Sequence, residues 1–188
     1  LAIEQANMEA IIGSAFADTV TGLSGGSIDL GGGSDSVTLA NSGGTITNTG
    51  VPAVSLFSNT ATATTFGGTI TNPVSGAGAL SLYKSGAAIL SLTSAQTYTG
   101  STNIFGGNLT LRDLGALTNT SAININFATL TLDNQGLYDS TARIGSATPV
   151  NLGGGTLIIS ARQVFDAQTI GAVTLDRGAS QITINQFN

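Results

Sequence analysis

One hexapeptide recurs along this chain and limits what it can become. It reads Gly25-Gly26-Ser27-Ile28-Asp29-Leu30, then Gly43-Gly44-Thr45-Ile46-Thr47-Asn48 and Gly67-Gly68-Thr69-Ile70-Thr71-Asn72. It returns as Gly106-Gly107-Asn108-Leu109-Thr110-Leu111, Phe127-Ala128-Thr129-Leu130-Thr131-Leu132, Gly154-Gly155-Thr156-Leu157-Ile158-Ile159 and Ala179-Ser180-Gln181-Ile182-Thr183-Ile184. Successive copies lie 18, 24, 39, 21, 27 and 25 residues apart. The long step contains apolar alternations at 79–82 and 88–92, so it hides one extra turn. Period-two alternation places Leu109 and Leu111 on one face of their strand. A strand offering so few apolar side chains cannot build a core alone and needs copies of itself above and below. A period of about 20–25 residues is that of a β-solenoid coil, two or three short strands with their turns.

A second set of alternating segments lies between the copies, at Ser36–Leu39, Ala53–Phe57, Ala122–Ile125, Pro149–Leu152 and Ala172–Leu175. The paired glycines suit tight corners, where φ is positive or the next coil approaches closely. Pro52, Pro73 and Pro149 all fall at or beside turns, since proline cannot donate to a ladder. Charged residues are only 8% of the chain, whereas the apolar fraction is an ordinary 41%. Thr, Ser, Asn and Gly replace the missing charges, which favours extended structure with polar outer faces over helix. The expected fold is all-β: a right-handed parallel β-helix (β-solenoid) of about eight coils of roughly 20–25 residues, the hand following parallel crossover chirality. No linker interrupts 1–188, which reads as a single segment. Residues 1–12 are the only stretch with a loose helical pattern, and a first rung is an equal reading.

The same sequence excludes several kinds of chemistry. There is no Cys, hence no disulfide or thiol nucleophile, and no His, the usual general base and commonest transition-metal ligand. No apolar run approaches the 18 or so residues of a membrane span, so no membrane insertion is expected of this segment. The net charge is −5, and residues 1–80 carry Glu4, Glu9, Asp18, Asp29 and Asp35 without any Lys or Arg. Nucleic acid is therefore not an expected partner, because phosphate binding needs clustered cations. The chain opens on Leu1 and stops at Asn188 in mid-pattern, and it reads as a piece of a longer protein.

Residues 1–40 contain Gly13 to Gly22 around Asp18, and Leu30-Gly31-Gly32-Gly33-Ser34-Asp35-Ser36-Val37. These coils resemble degenerate calcium-binding nonapeptides of the RTX type, in which glycine turns and an Asp carboxylate supply oxygen ligands. Leu30 stands where the first glycine of that pattern belongs, and one good copy does not supply the six to eight oxygens calcium takes. The expectation is a glycine-rich turn, with Asp18 and Asp35 the only calcium candidates and no other metal or cofactor.

The most specific stretch is residues 84–111, KSGAAILSLTSAQTYTGSTNIFGGNLTL. Lys84, Gly86, Leu90, Leu92, Tyr98, Thr99, Gly100, Thr102, Ile104, Gly106, Leu109 and Leu111 stand in an order that resembles the passenger-associated repeat of type V autotransporters, large secreted proteins of Gram-negative bacteria. Gln96 departs from the Asn usual there, and Phe105-Gly106-Gly107 is one residue longer than the commonest spacing. The resemblance implies a passenger-domain rod displayed on the cell surface, exported across the outer membrane. It implies an adhesin segment that attaches to host cell-surface or extracellular-matrix proteins or glycans, or to sister bacteria by self-association between rods. The alternative is a structural stalk whose functions lie in neighbouring segments.

Enzyme readings are weaker, and none is expected. Ser-His-Asp chemistry lacks its His, and Lys84, the only lysine, occupies a repeat position that implies a structural corner. Glycan-cleaving chemistry would draw on Arg112, Asp113, Asp133, Asp139, Arg143, Arg162, Asp166, Asp176 and Arg177, spread along the coils. Surface ion pairs worth about 0–1 kcal/mol each are the ordinary reading of such groups. The aromatic expectation is that Tyr98 covers a corner, while Phe57, Phe66, Phe105 and Phe127 stack as an internal ladder rather than an exposed strip with Tyr83 and Tyr138.

Overall fold

The protein is described from a computed structural model, which covers residues 2–4, 10–14, 16–23, 27–31, 34–39, 44–48, 54–59, 61–72, 78–162 and 167–186. It is a β-solenoid without helix among these residues, and every pairing between its named strands is parallel. The longest sheet has nine strands in chain order: Ala2–Glu4, Thr19–Leu23, Ser34–Leu39, Val54–Asn59, Leu80–Ser85, Thr102–Ile104, Ile123–Asn126, Val150–Gly153 and Val173–Arg177. A second, six-stranded wall is built from Thr64–Phe66, Ile89–Leu92, Asn108–Arg112, Thr129–Asp133, Thr156–Ala161 and Gln181–Gln186. The third wall holds Ala10–Ile12, Ser27–Asp29, Thr45–Thr47 and Thr69–Thr71, and then Ala95–Gln96 and Ala116–Leu117. A Thr97 N–H to Ile70 carbonyl bond of 3.0 Å joins its two parts, and a bridge from Leu117 to Ile144 extends it. Of the stretch 1–12, Ala2–Glu4 is a strand of the long sheet and Ala10–Ile12 a strand of the third, while residues 1 and 5–9 lie outside the described residues.

Identical side chains stack because the register repeats without slip through the middle of the second wall. Leu90, Leu109, Leu130 and Leu157 form one column and Phe66, Leu92, Leu111 and Leu132 its neighbour, all buried. On the third wall Ile28, Ile46 and Ile70 do the same. Each such side chain contributes about 1.5–3 kcal/mol by leaving water. At the last described turn Ile182 and Ile184, which continue the second-wall columns, and Leu175 of the long sheet are exposed.

The turns are less uniform than a 20–25-residue period implies. Neighbouring turns are offset by 17 residues at Asp18 and Asp35, by 26 at Ile70 and Gln96, by 21 at Asn103 and Asn124, and by 27 at Asn124 and Asn151. Among the described residues the short turns alternate between the long and third sheets, and the first strand of the second wall is Thr64–Phe66. The recurring hexapeptide accordingly changes place. Its copies at Ile28, Ile46 and Ile70 belong to the third wall, whereas those at Leu109, Leu130, Leu157 and Ile182 belong to the second. Corners bring backbones close: at Gly100 a Cβ would collide with the Leu80 carbonyl oxygen one turn away.

Candidate binding face

The outward side of the long sheet carries a row of asparagines. In Thr102–Ile104, Ile123–Asn126 and Val150–Gly153 the apolar or Thr residues point inward, so Asn103, Asn124 and Asn151 stand in register on the opposite side, Asn103 largely covered and the other two half-buried. Asn151 Nδ2 donates to Asn124 Oδ1 at 2.8 Å, Asn124 Nδ2 to Asn103 Oδ1 at 2.8 Å, and Asn103 Nδ2 to Ser101 Oγ at 2.9 Å. Thr174 continues the register beyond Asn151. A groove of about 380 Å³ opens here, lined by Asn103, Asn124, Asn126, Asn151, Thr174 and Asp176 with Gly153 between them.

Aromatic rings flank the row: Tyr83 stands in register with Asn103 on the long sheet, and Phe105 and Phe127 stand at the corner where that sheet passes to the second wall. Tyr83 and Phe105 stack with centroids 6.2 Å apart and planes at 13°. Phe105 is 52% and Phe127 72% exposed, so neither joins an internal Phe ladder; Phe66 alone of that set is seen buried. The side chain of Phe57 lies outside the described residues. The reason is position: Phe105 follows Ile104 and Phe127 follows Asn126, the last residues of their strands, so both fall on the corner itself. Phe127 has φ 51°, a left-handed conformation that bulky residues rarely adopt. Its ring lies against Gly154, where any Cβ would press on the ring edge.

The interior holds the groups that sequence placed at corners. Lys84 points inward in line with Leu80 and Leu82 and is fully buried. Its ammonium donates to the carbonyls of Ser85, Gly86 and Gly106 at 2.8, 3.0 and 2.9 Å. Burial lowers its pKa from the usual lysine value. Gln96 turns its departure from Asn into reach: its Oε1 accepts from Ile70 N at 2.7 Å, and its Nε2 donates to the Gly68 and Ser94 carbonyls. Tyr98 is buried with its hydroxyl 2.6 Å from Thr102 Oγ1, and burial raises its pKa. Thr102 in turn meets Thr120, which donates to the Gly100 carbonyl.

The scattered acids and bases have separate fates. Arg143, read from sequence as a surface group, is fully buried. It donates to Asn134 Oδ1 at 2.6 Å and to the carbonyls of Asp113, Gly115 and Tyr138. Burial lowers its pKa, and the nearby charges of Asp133, Asp139 and Asp113 oppose that shift. The exposed Arg112 pairs at 2.9 Å with the largely buried Asp133, and Arg162 donates to the Gly136 carbonyl. Asp113 accepts the Leu137 N–H, which ties one loop to the next. Asp176 reaches the groove, Arg177 stands near Gly153, and Asp166 lies outside the described residues.

Asp18 and Asp35 do come together, one turn apart. Asp18 Oδ2 accepts from Ser14 N at 2.7 Å and Ser14 Oγ at 3.1 Å, while Asp18 N donates to Asp35 Oδ1 at 3.0 Å. The Ser14 N–H holds the Asp18 pKa below the usual carboxylate value. Burial raises that of Asp35, aided by the Asp18 charge and opposed by its N–H. Among the described residues no third Asp, Glu, His or Cys joins them.

A polar outer face of Thr, Ser and Asn is expected from the sequence, but the alignment of Asn103, Asn124 and Asn151 on it is not, because outward residues carry no hydrophobic period. Aligning the second strands on their inward residues would have revealed it, since each asparagine sits between two inward positions. Comparison of the chain with family models, with curated proteins and with solved structures finds no match.

Proposed function

We propose that this chain is an adhesive segment of an autotransporter-type passenger rod, exported and displayed on a bacterial surface. One observation carries the adhesive part: a polar groove on the long sheet lies next to exposed aromatic rings at its corner. Binding residues on a preorganised scaffold lose little entropy when they engage a partner. The passenger part draws support from residues 84–111, where the motif positions have interlocking tasks. Lys84 ties three corner carbonyls, Tyr98 and Thr102 bond inside, Gly100 admits the adjacent turn, and Leu90, Leu92, Leu109 and Leu111 stack.

A stalk is the second reading, favoured by the same motif, because all of those residues are taken up in holding the turn. Binding of the purified protein to cultured host cells and immobilised matrix proteins separates the two. Saturable binding is expected; none from demonstrably folded protein leaves the stalk. Running the assay with calcium and with chelator tests Asp18 and Asp35, since chelator-sensitive binding would promote them from turn residues to ligands.

A further inference from the structure

We propose that the groove on the long sheet binds an uncharged oligosaccharide, with the asparagine row contacting hydroxyls and Phe127 receiving a sugar ring. This deepens the adhesive reading and rests on it.

The row leaves defined valences facing outward. An Asn amide offers two N–H donors and two acceptor sites. Asn124 spends one donor on Asn103 and one acceptor site on Asn151, so one of each remains for a ligand. A donor and an acceptor held side by side match a pair of neighbouring sugar hydroxyls. Because each amide is already fixed by the next, little side-chain freedom is lost on binding. The rungs repeat at about 4.8 Å, offering the same contact again along an extended chain.

Depth and shape favour a small ring rather than a flat protein surface. The volume of about 380 Å³ falls within the range of small-ligand sites. Gly153 leaves the floor bare, and a side chain there would strike Asn126 Oδ1. Phe127 directly follows the lining residue Asn126 and keeps 72% of its surface exposed. An apolar ring held outward on a left-handed backbone is costly in stability, and such strain gathers at binding sites. One side of the ring rests on Gly154, leaving the other for the C–H face of a sugar.

Charge selects among glycans. The lining holds one carboxylate, Asp176, and Arg177 stands beside Gly153. No cluster of cations is there to hold sulfate or carboxylate groups, so anionic polysaccharides lack their usual anchor.

The test presents the full chain with immobilised neutral oligosaccharides of glucose, galactose, mannose and N-acetylhexosamine type, alongside heparin-derived and sialylated ones, with saturation-transfer NMR on the hits. Binding to at least one neutral probe is expected, weakened about tenfold or more in N124A/N151A and in F127G. Glycine accepts the backbone conformation of residue 127, so F127G separates loss of the ring from loss of the fold. Retained affinity in both variants, binding to anionic probes alone, or no neutral ligand at all overturns the proposal. Cell binding that survives both variants overturns it while leaving adhesion standing. Loss of all cell binding by folded wild-type protein removes the adhesive reading itself.

Discussion

The early turns and those after residue 78 solve the same problem at different widths. Around Asp18 and Asp35 a turn takes 17 residues and two strands, and the charged groups turned inward are carboxylates. Later turns take up to 27 residues and three strands, and among the described residues their two fully buried charges are cations, Lys84 and Arg143, with the carboxylate of Asp133 nearly as covered. The polarity follows the backbone. Where N–H groups converge, as at Ser14 and Asp18, an acid accepts them. Where carbonyls converge at a wider corner, a long cation reaches several at once. Buried charge here is a device for satisfying main-chain groups, which would otherwise cost about 1–3 kcal/mol each. The most deeply buried charges thus differ in sign between the narrow and the wider turns.

Substitutions can break this comparison. The largest effect is expected at Arg143→Ala, which strands three carbonyls and Asn134; a loss of about 3–5 kcal/mol in urea denaturation is the outcome. A loss below about 1 kcal/mol would show that wide corners do not need their cation. Lys84→Met should cost about 1–3 kcal/mol at pH 7. Its pH dependence sharpens the point, because the Lys84 pKa is lowered in the folded protein. The unfolded chain then holds more protons, so wild-type stability rises with pH towards 10.5 and falls again as pH drops through the folded pKa. The advantage of wild type over Lys84→Met should therefore widen between pH 7 and 10; a constant gap would mean the ammonium pays nothing for burial.

Phe127→Gly should raise stability by about 1 kcal/mol in the same assay, since it relieves a left-handed aromatic residue. In the narrow region Asp35→Asn should be the mildest, within about 1 kcal/mol and in the stabilising direction at pH 7. The raised Asp35 pKa means the folded state favours the proton, so the carboxyl supports stability in acid and loses that support as pH rises through its folded pKa. The Asn variant keeps the acceptor for Asp18 N–H and should lack that slope in urea midpoints between pH 3 and 7.

Much of the solenoid was legible because its inward residues repeat. Leu90, Leu92, Leu109 and Leu111 announce their stacking in sequence, and the segments at 122–125 and 149–152 fall on strands of one sheet. The hexapeptide concealed something else: it encodes a corner followed by a strand, and either wall can use that unit. Hence Ile70 and Leu109 look equivalent yet face the core from different sides. Arg143 was misplaced because a charge within a polar loop reads as solvated, and nothing local predicts the three carbonyls that enclose it. The groove was invisible for a related reason. Its asparagines are distant in sequence and acquire meaning only when the unequal turn lengths bring them into register.

The asparagine row also has a sense. Two amide nitrogens donate to the preceding turn, Asn151 to Asn124 and Asn124 to Asn103, and Asn103 ends the run on Ser101 of its own turn. The amide dipoles therefore add along the rod axis instead of cancelling, and each bond polarises the next. The face has a head and a tail. An elongated ligand lying along it meets two unlike ends, so it is held in one direction and not in the reverse.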